Sequence, residues 1–420
     1  MHFGLSQANI ELAWQRVKHS HKDRTFITNP FLDSWLDFSR TDWLPHLYDK
    51  LDPYYKPSLP TRCWVPKGNN LCRPGVILRP EDEVVYFSLV DIMLPNISKY
   101  VEKVESVALY PRLTRNAGEV NLLEYYQKQW NRFRSESKEL LTNGFPYMVR
   151  TDITAFYSNV NIKELISILT SLEVSKEVRD ILSECLNTWS LNQSTGIPQG
   201  FIPSDILSLT YLAKTDMELQ RSGIKHLRYS DDIRIFAASE SDARKNLHEL
   251  DCQLLACGLS LNSSKTIILN KEEAMSEVES HGEEIENISQ NFRDVYKKDM
   301  PDIGPYTPFW EIEAIIPNSD ATPEAKEAAE RHFDGFTRSY NNNKGEFDKS
   351  LFHLLLAWLK ALDSPYAIET CKEILKSRPH EAKDILKYFK KFHNDDSIVS
   401  YLLDISNNAQ TAFSISRSRC

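Results

Sequence analysis

Two periods of apolar residues run through the chain, one of three to four residues and one of two, and they divide it into helices and strands. Val84, Val85, Phe87, Leu89, Val90, Met93 and Leu94 recur at helical spacing and predict a helix over 81–105. Tyr125, Tyr126, Trp130 and Phe133 predict another over 120–142. A strand follows at 147–150, then helices at 162–171, 175–190 and 203–221. Two short strands, 226–229 and 233–237, are separated by Ser230-Asp231-Asp232. A helix at 240–257 leads to a strand at 265–269. Upstream, residues 1–60 read as helices and loops carrying Trp14, Trp35 and Trp43. The segment RCWVPKGNNLCRPGVILRP reads as two strands about a Gly68-Asn69-Asn70 turn.

Strands and helices alternate without a regular strand–helix–strand beat and without a glycine-rich phosphate loop, which predicts an α+β fold. The stretch 272–305 is acidic and then broken by Pro301, Gly304, Pro305 and Pro308, and it reads as a linker or mobile loop. Beyond it the apolar spacing is helical again: Leu351, Leu354, Leu355, Trp358; Ile368, Cys371, Leu375; Leu386, Phe389, Phe392; Ile398, Tyr401, Ile405. Successive helices with short joints predict a C-terminal helical stack, with Pro365 and Pro379 where helices start.

Composition changes this picture little. The chain has 420 residues, 41% hydrophobic and 26% charged, enough for a sizeable core and ordinary for a globular protein. No apolar run approaches the ~18 residues of a membrane span, and MHFGLSQANIELAW lacks the pattern of a signal peptide. Seven cysteines, an odd number without a CxxC pair, point to reduced thiols in a cytosol and away from a zinc ribbon. The net charge of -9 is unusual for a binder of nucleic acid. Seven glutamates within 272–286 account for most of it, and a locally basic channel suffices to focus field on a polyanion.

Chemistry concentrates at Tyr229-Ser230-Asp231-Asp232. Two carboxylates in a strand–turn–strand are stable as charges when a cation compensates their desolvation. Magnesium favours one or two carboxylates together with substrate phosphate oxygens. Alone, an adjacent Asp-Asp also fits a solvated turn. The second piece is Arg150-Thr151-Asp152-Ile153-Thr154-Ala155-Phe156-Tyr157, where Asp152 closes a strand and by itself also fits a helix cap. The third is Gly196-Ile197-Pro198-Gln199-Gly200-Phe201-Ile202-Pro203-Ser204, whose glycines permit close backbone approach. Three carboxylates on neighbouring strand ends would form a two-metal site, with ions ~3.5–4 Å apart.

The order of these pieces, a strand with aspartate, a Pro-Gln-Gly loop opening a helix, then Tyr-x-Asp-Asp in a hairpin, resembles the palm of reverse transcriptases. The likeness covers roughly residues 60–270. It implies a right-hand polymerase with fingers and palm over 1–275, an acidic linker or loop over 276–305, and a helical thumb and C-terminal helical extension over 306–420. By the same resemblance, Asp152, Asp231 and Asp232 hold two Mg2+ ions, with Mn2+ able to substitute. Lys67 and Arg73 of the hairpin bind the incoming triphosphate. Gln199 and Gly200 support nucleotide and template, and Tyr157, five residues after Asp152, lies beneath the sugar. Lys265 is placed to protonate departing pyrophosphate, although a solvated surface lysine fits it equally.

The segments AWQRVK, RPEDEVVYFSLVD and YYQKQWNRF, with the helical extension, resemble the bacterial defence-associated, abortive-infection group. That likeness implies a cytoplasmic enzyme that takes deoxynucleoside triphosphates, copies a noncoding RNA into DNA during phage infection, has no membrane partner and leaves an oligomer open. Lys383, Lys387 and Lys390, at spacings of three and four, are candidates for holding the RNA. Two other readings stay open: an untemplated, protein-primed polymerase, and a non-catalytic RNA-binding module. An RNA-dependent RNA polymerase fits less well, because Tyr157 stands where that class carries a second aspartate.

Overall fold

The computed structural model describes residues 6–21, 30–51, 55–67, 71–114, 118–124, 126–190, 194–280, 290, 322–342 and 347–407. The chain divides into two compact units, Met1–Arg62 with Gly75–Glu279, and Cys63–Pro74 with Ser280–Cys420.

The first unit opens with α1 (Gln7–His21), α2 (Pro30–Phe38) and α3 (Arg40–Lys50). A two-stranded sheet, β1 (Thr61–Lys67) and β2 (Leu71–Ile77), carries the chain across the division between units. Then come α4 (Pro80–Val101), β3 (Ala108–Tyr110), α5 (Tyr126–Thr142) and β4 (Tyr147–Asp152). After them follow α6 (Phe156–Asn159), α7 (Ile162–Ser171), α8 (Lys176–Trp189) and α9 (Ile202–Arg221). The hairpin β5 (Lys225–Tyr229) and β6 (Asp232–Ala237), α10 (Glu240–Ala256), β7 (Ile267–Leu269) and α11 (Lys271–Ser280) complete it. The helices start where the sequence supplies caps. Asn161, Ser175 and Ser239 each accept a backbone N–H from the first turn of α7, α8 and α10.

Five strands form one sheet in the order β3-β5-β6-β4-β7, with β3 parallel to β5 and the other pairs antiparallel. Side chains alternate across it. Val149, Ile233 and Ile235 enter the large core shared with α4, α7, α8, α9 and α10. Met148, Leu227, Tyr229 and Phe236 face the other way and pack with Phe133 and Leu141 of α5 and Ala274 and Val278 of α11. Both faces of the sheet are therefore covered near its middle, and chemistry is confined to its end.

The second unit is helical beyond residue 322: α12 (Pro323–Asn342), α13 (Lys349–Ala361), α14 (Ile368–Ser377), α15 (Ala382–Phe389) and α16 (Asp396–Asn407). Its own core gathers Phe333, Phe336, Leu355, Trp358, Ile374 and Tyr388.

The fold is mixed α and β, mostly helical with a sheet, as the apolar periods predict. Three details differ. The strand β3, three residues long, is absent from the predicted elements. The predicted helix over 120–142 begins only at Tyr126. The stretch read as acidic linker starts as a helix: α11 runs to Ser280 and buries Ala274 and Val278, four residues apart on one side. Apart from Gln290, the remainder of that linker, with Pro301, Gly304, Pro305 and Pro308, lies outside the described residues, as do the Gly68-Asn69-Asn70 turn and Tyr125. No described helix is long and apolar enough to cross a membrane. Among the described residues the six cysteines are free thiols.

Candidate active site

Strand register builds the site. The β4–β6 ladder sets Asp152, the last residue of β4, directly opposite Asp232, the first of β6. Tyr229 also pairs with Asp232 across β5–β6, leaving Ser230 and Asp231 as a two-residue turn. Such turns need positive φ at their first position, and Ser230 stands at φ 59°. That conformation is held from both sides. Ser230 N–H donates to the Tyr110 carbonyl at 2.8 Å, and Arg228 Nη1 donates to the Ser230 carbonyl at 3.0 Å. Asp152 caps no helix, because the N-cap positions of α6 and α7 are Ala155 and Asn161. Its backbone is instead tied to the segment after α10, with Asn262 N–H donating to its carbonyl at 2.9 Å.

Like charges placed opposite each other across strands repel, and one of the two, Asp152, is buried while Asp232 stays open to solvent. Desolvation by the protein around it, followed by the charges of Asp231 and Asp152, pushes Asp232 up to about 6. Burial and then Asp152 raise Asp231 as well. One cation answers this cluster directly: Lys265 Nζ donates to Asp152 Oδ2 at 2.5 Å, a bond that raises the lysine's own pKa. Asp152 is 7% exposed, and its other oxygen, Oδ1, is buried with no hydrogen-bond partner among the described residues. An orphaned carboxylate oxygen beside two mutually repelling carboxylates fits a divalent cation. Among the described residues no three His, Cys, Asp or Glu side chains are already gathered as a finished metal cage. A magnesium ion does not require one, since it takes only one or two carboxylates and completes its shell with water and phosphate oxygens.

The Pro-Gln-Gly loop lies against the segment after β4. Gly196 N–H donates to the Val160 carbonyl at 2.8 Å and Ile197 N–H to the Tyr157 carbonyl at 2.9 Å. Gly196 and Gly200 both take positive φ. Gln199 is half-buried and Gly200 exposed, just before α9 begins. Tyr157 is half-buried and packs on Phe156 with ring centroids 5.4 Å apart.

Asp152, Asp231, Asp232, Lys265, Tyr157, Gln199 and Gly200 thus belong to one unit. Lys67 and Arg73 belong to the other, on adjacent strands of the β1–β2 hairpin, Lys67 exposed and Arg73 half-buried. Lys383 and Lys387 lie on the side of α15 away from its buried Asp384, Ile385, Tyr388 and Phe389, and Lys390 follows directly after the helix ends. Lys372, a further basic residue of the same stack, is buried and bonded to Glu369 and Ser397, so it offers no surface charge.

Sequence reasoning missed two groups here. One is a buried network behind the turn: Arg228 grips Asp216 of α9 with Nη2 at 2.5 Å, and His226 Nε2 lies 3.2 Å from the same carboxylate. Burial would raise Asp216, but the Arg228 charge and these bonds outweigh it and hold the carboxyl at about 2. The other is Asp205 in the first turn of α9, which burial pushes up to about 7 despite a bond from Tyr157. Neither group is marked by a local signal in the sequence, since β5 and α9 carry other charged residues beside Arg228 and Asp216.

Residues 94–289, just under half of the chain, match the family model described as reverse transcriptase (RNA-dependent DNA polymerase). The chain therefore carries a reverse-transcriptase domain over these residues. No curated protein sequence matches it. Among solved structures, apo telomerase from Candida tropicalis truncated from its C-terminal domain is similar at 12% identity and a TM-score of 0.38, over 50% of this chain and 50% of that one. Telomerase from Candida albicans with a fragment of telomeric RNA is similar at 12% identity and a TM-score of 0.40, over 82% of this chain and 64% of that one. The chain thus spans half of the first of these structures and less than two thirds of the second.

Proposed function

We propose that this chain is a cytoplasmic RNA-directed DNA polymerase of bacterial antiviral defence, copying a dedicated noncoding RNA into DNA. The observation that carries the polymerase reading is the carboxylate cluster at the sheet end, within the reverse-transcriptase domain: Asp152 opposite Asp232, Asp231 in the turn between strands, and a buried Asp152 oxygen without a partner among the described residues.

In this reading Asp152 and Asp231 are the main ligands of two Mg2+ ions and Asp232 assists. Bound there, the ions would activate the attacking 3′-hydroxyl and stabilise the departing pyrophosphate. Lys265, paired with Asp152 before substrate arrives, is then released toward the leaving group as proton donor. Lys67 and Arg73 hold the triphosphate, one as a point charge and one as a fork of donors. Gln199 and Gly200 support nucleotide and template, and Tyr157 lies beneath the sugar. The defence role and the dedicated template rest on the resemblance of AWQRVK, RPEDEVVYFSLVD and YYQKQWNRF to the defence-associated group. An acidic chain favours a partner RNA chosen by shape and local contacts over indiscriminate binding.

The test is to purify the protein from its host and sequence the RNA and DNA that accompany it. One dominant structured RNA with complementary DNA is expected. DNA complementary to no accompanying RNA would replace this reading with untemplated synthesis. RNA alone, with no nucleotide incorporation by the protein, would replace it with a binding module.

A further inference from the structure

The phenol of Tyr157 is a junction between two parts of the site. Its hydroxyl donates to Asp205 Oδ1 at 2.5 Å, reaching from the segment after β4 to the first turn of α9. Ser230, in the turn that carries Asp231, is also near enough to bear on the ionisation of the same phenol. The backbone of Tyr157 is fixed as well, because Ile197 N–H donates to its carbonyl at 2.9 Å. A half-buried aromatic held only by packing keeps some freedom about its side-chain torsions. One bonded at its tip to a carboxyl on a 20-residue helix does not.

We propose that Asp205 is a positioning residue for sugar selection. By holding the Tyr157 hydroxyl it fixes the ring at the height where a ribose 2′-hydroxyl would collide and a deoxyribose would not. The inference rests on the reading of Tyr157 as the residue beneath the sugar and adds what makes that ring rigid. Selectivity by collision depends on rigidity, since a ring free to swing admits the larger sugar at little cost. Asp205 touches neither substrate nor ion in this assignment; it acts through Tyr157.

The test compares incorporation of deoxy- and ribonucleotides by the full-length wild-type protein and by Tyr157→Ala, Tyr157→Phe, Asp205→Ala, Asp205→Asn and the double variant Tyr157→Phe/Asp205→Ala, as the ratio of kcat/KM values. Tyr157→Phe and Asp205→Ala should each lower the preference for deoxynucleotides about tenfold, the worth of one hydrogen bond of ~1.4 kcal/mol. The double variant should lose no more than either single change, because both remove the same bond. Asp205→Asn should keep most of the preference, since its amide oxygen accepts the same phenolic proton. Wild-type preference in Tyr157→Phe or Asp205→Ala, or multiplied losses in the double variant, overturns the role of Asp205. If Tyr157→Ala loses preference while those two keep it, the gate stands and the inference alone falls. If Tyr157→Ala keeps wild-type preference, the gate reading fails and the inference with it. Should Asp205→Ala fail to fold, Tyr157→Phe breaks the bond from the other side and decides the question.

Discussion

Gly196 stands at φ +96° with the Ser158 carbonyl oxygen 3.2 Å from where a Cβ would be. The backbone conformation strains any side chain and the space is tight for one, so Gly196→Ala should cost about 1–3 kcal/mol in urea unfolding. Wild-type stability in that variant would show the loop free to move away from residues 158–160. Asp216 sets a pH dependence of known sign. Its folded pKa of about 2 lies below the ordinary 3.8, so the unfolded chain binds more protons in that window, and stability is lost as pH falls from about 4 to 2. The loss attributable to this group is on the order of 2 kcal/mol. Asp216→Asn should abolish that part of the acid transition and cost ~3–5 kcal/mol at neutral pH, because Arg228 is left buried and unpaired. An unchanged acid midpoint in the variant would mean that Arg228 and His226 do not hold the carboxyl. The difference between these residues and the aspartates of the site shows what a sequence displays. Asp152, Asp231 and Asp232 stand out because charges at the ends of apolar strands need a cation. Asp205 and Asp216 derive their meaning from partners 48 and 12 residues away, which no local pattern contains.

At the scale of elements, the sequence reveals the long periodic helices and the two strands that flank Asp231. It conceals β3, since three residues carry no period, and that strand is recruited by pairing with β5 rather than by its own composition. It also conceals α11. Glutamates are the commonest residue of that stretch, and Ala274, Met275 and Val278 alone mark its apolar side, too few positions to outweigh the charge. The helix is nevertheless anchored: Glu277 pairs with Arg150, Lys138 with Glu279 at 3.2 Å, and Arg134 Nε donates to the Val278 carbonyl at 3.1 Å. Val278→Ala should therefore destabilise the fold by about 1–3 kcal/mol, and the amide of Val278, bonded within the helix, should exchange slowly. Fast exchange there, with no loss of stability in the variant, would restore the reading of this stretch as a loop.

At the scale of the whole molecule, the net charge of -9 leaves nucleic-acid binding to local basic surfaces. If Lys383, Lys387 and Lys390 contact RNA phosphates, reversing all three to glutamate should weaken association and make log Kd less dependent on log salt, by about 0.7–0.9 per lost contact. An unchanged slope would assign these lysines to a solvated helix face. The central claim concerns the carboxylates and is tested most directly by extension of a DNA primer on a defined RNA template, comparing wild-type protein with Asp231→Asn of the same thermal stability. A metal-bound aspartate supplies several kcal/mol to the transition state, so deoxynucleotide incorporation should fall at least ~10³-fold while the fold is kept. Near-normal, template-ordered synthesis by the folded Asp231→Asn protein would contradict the account.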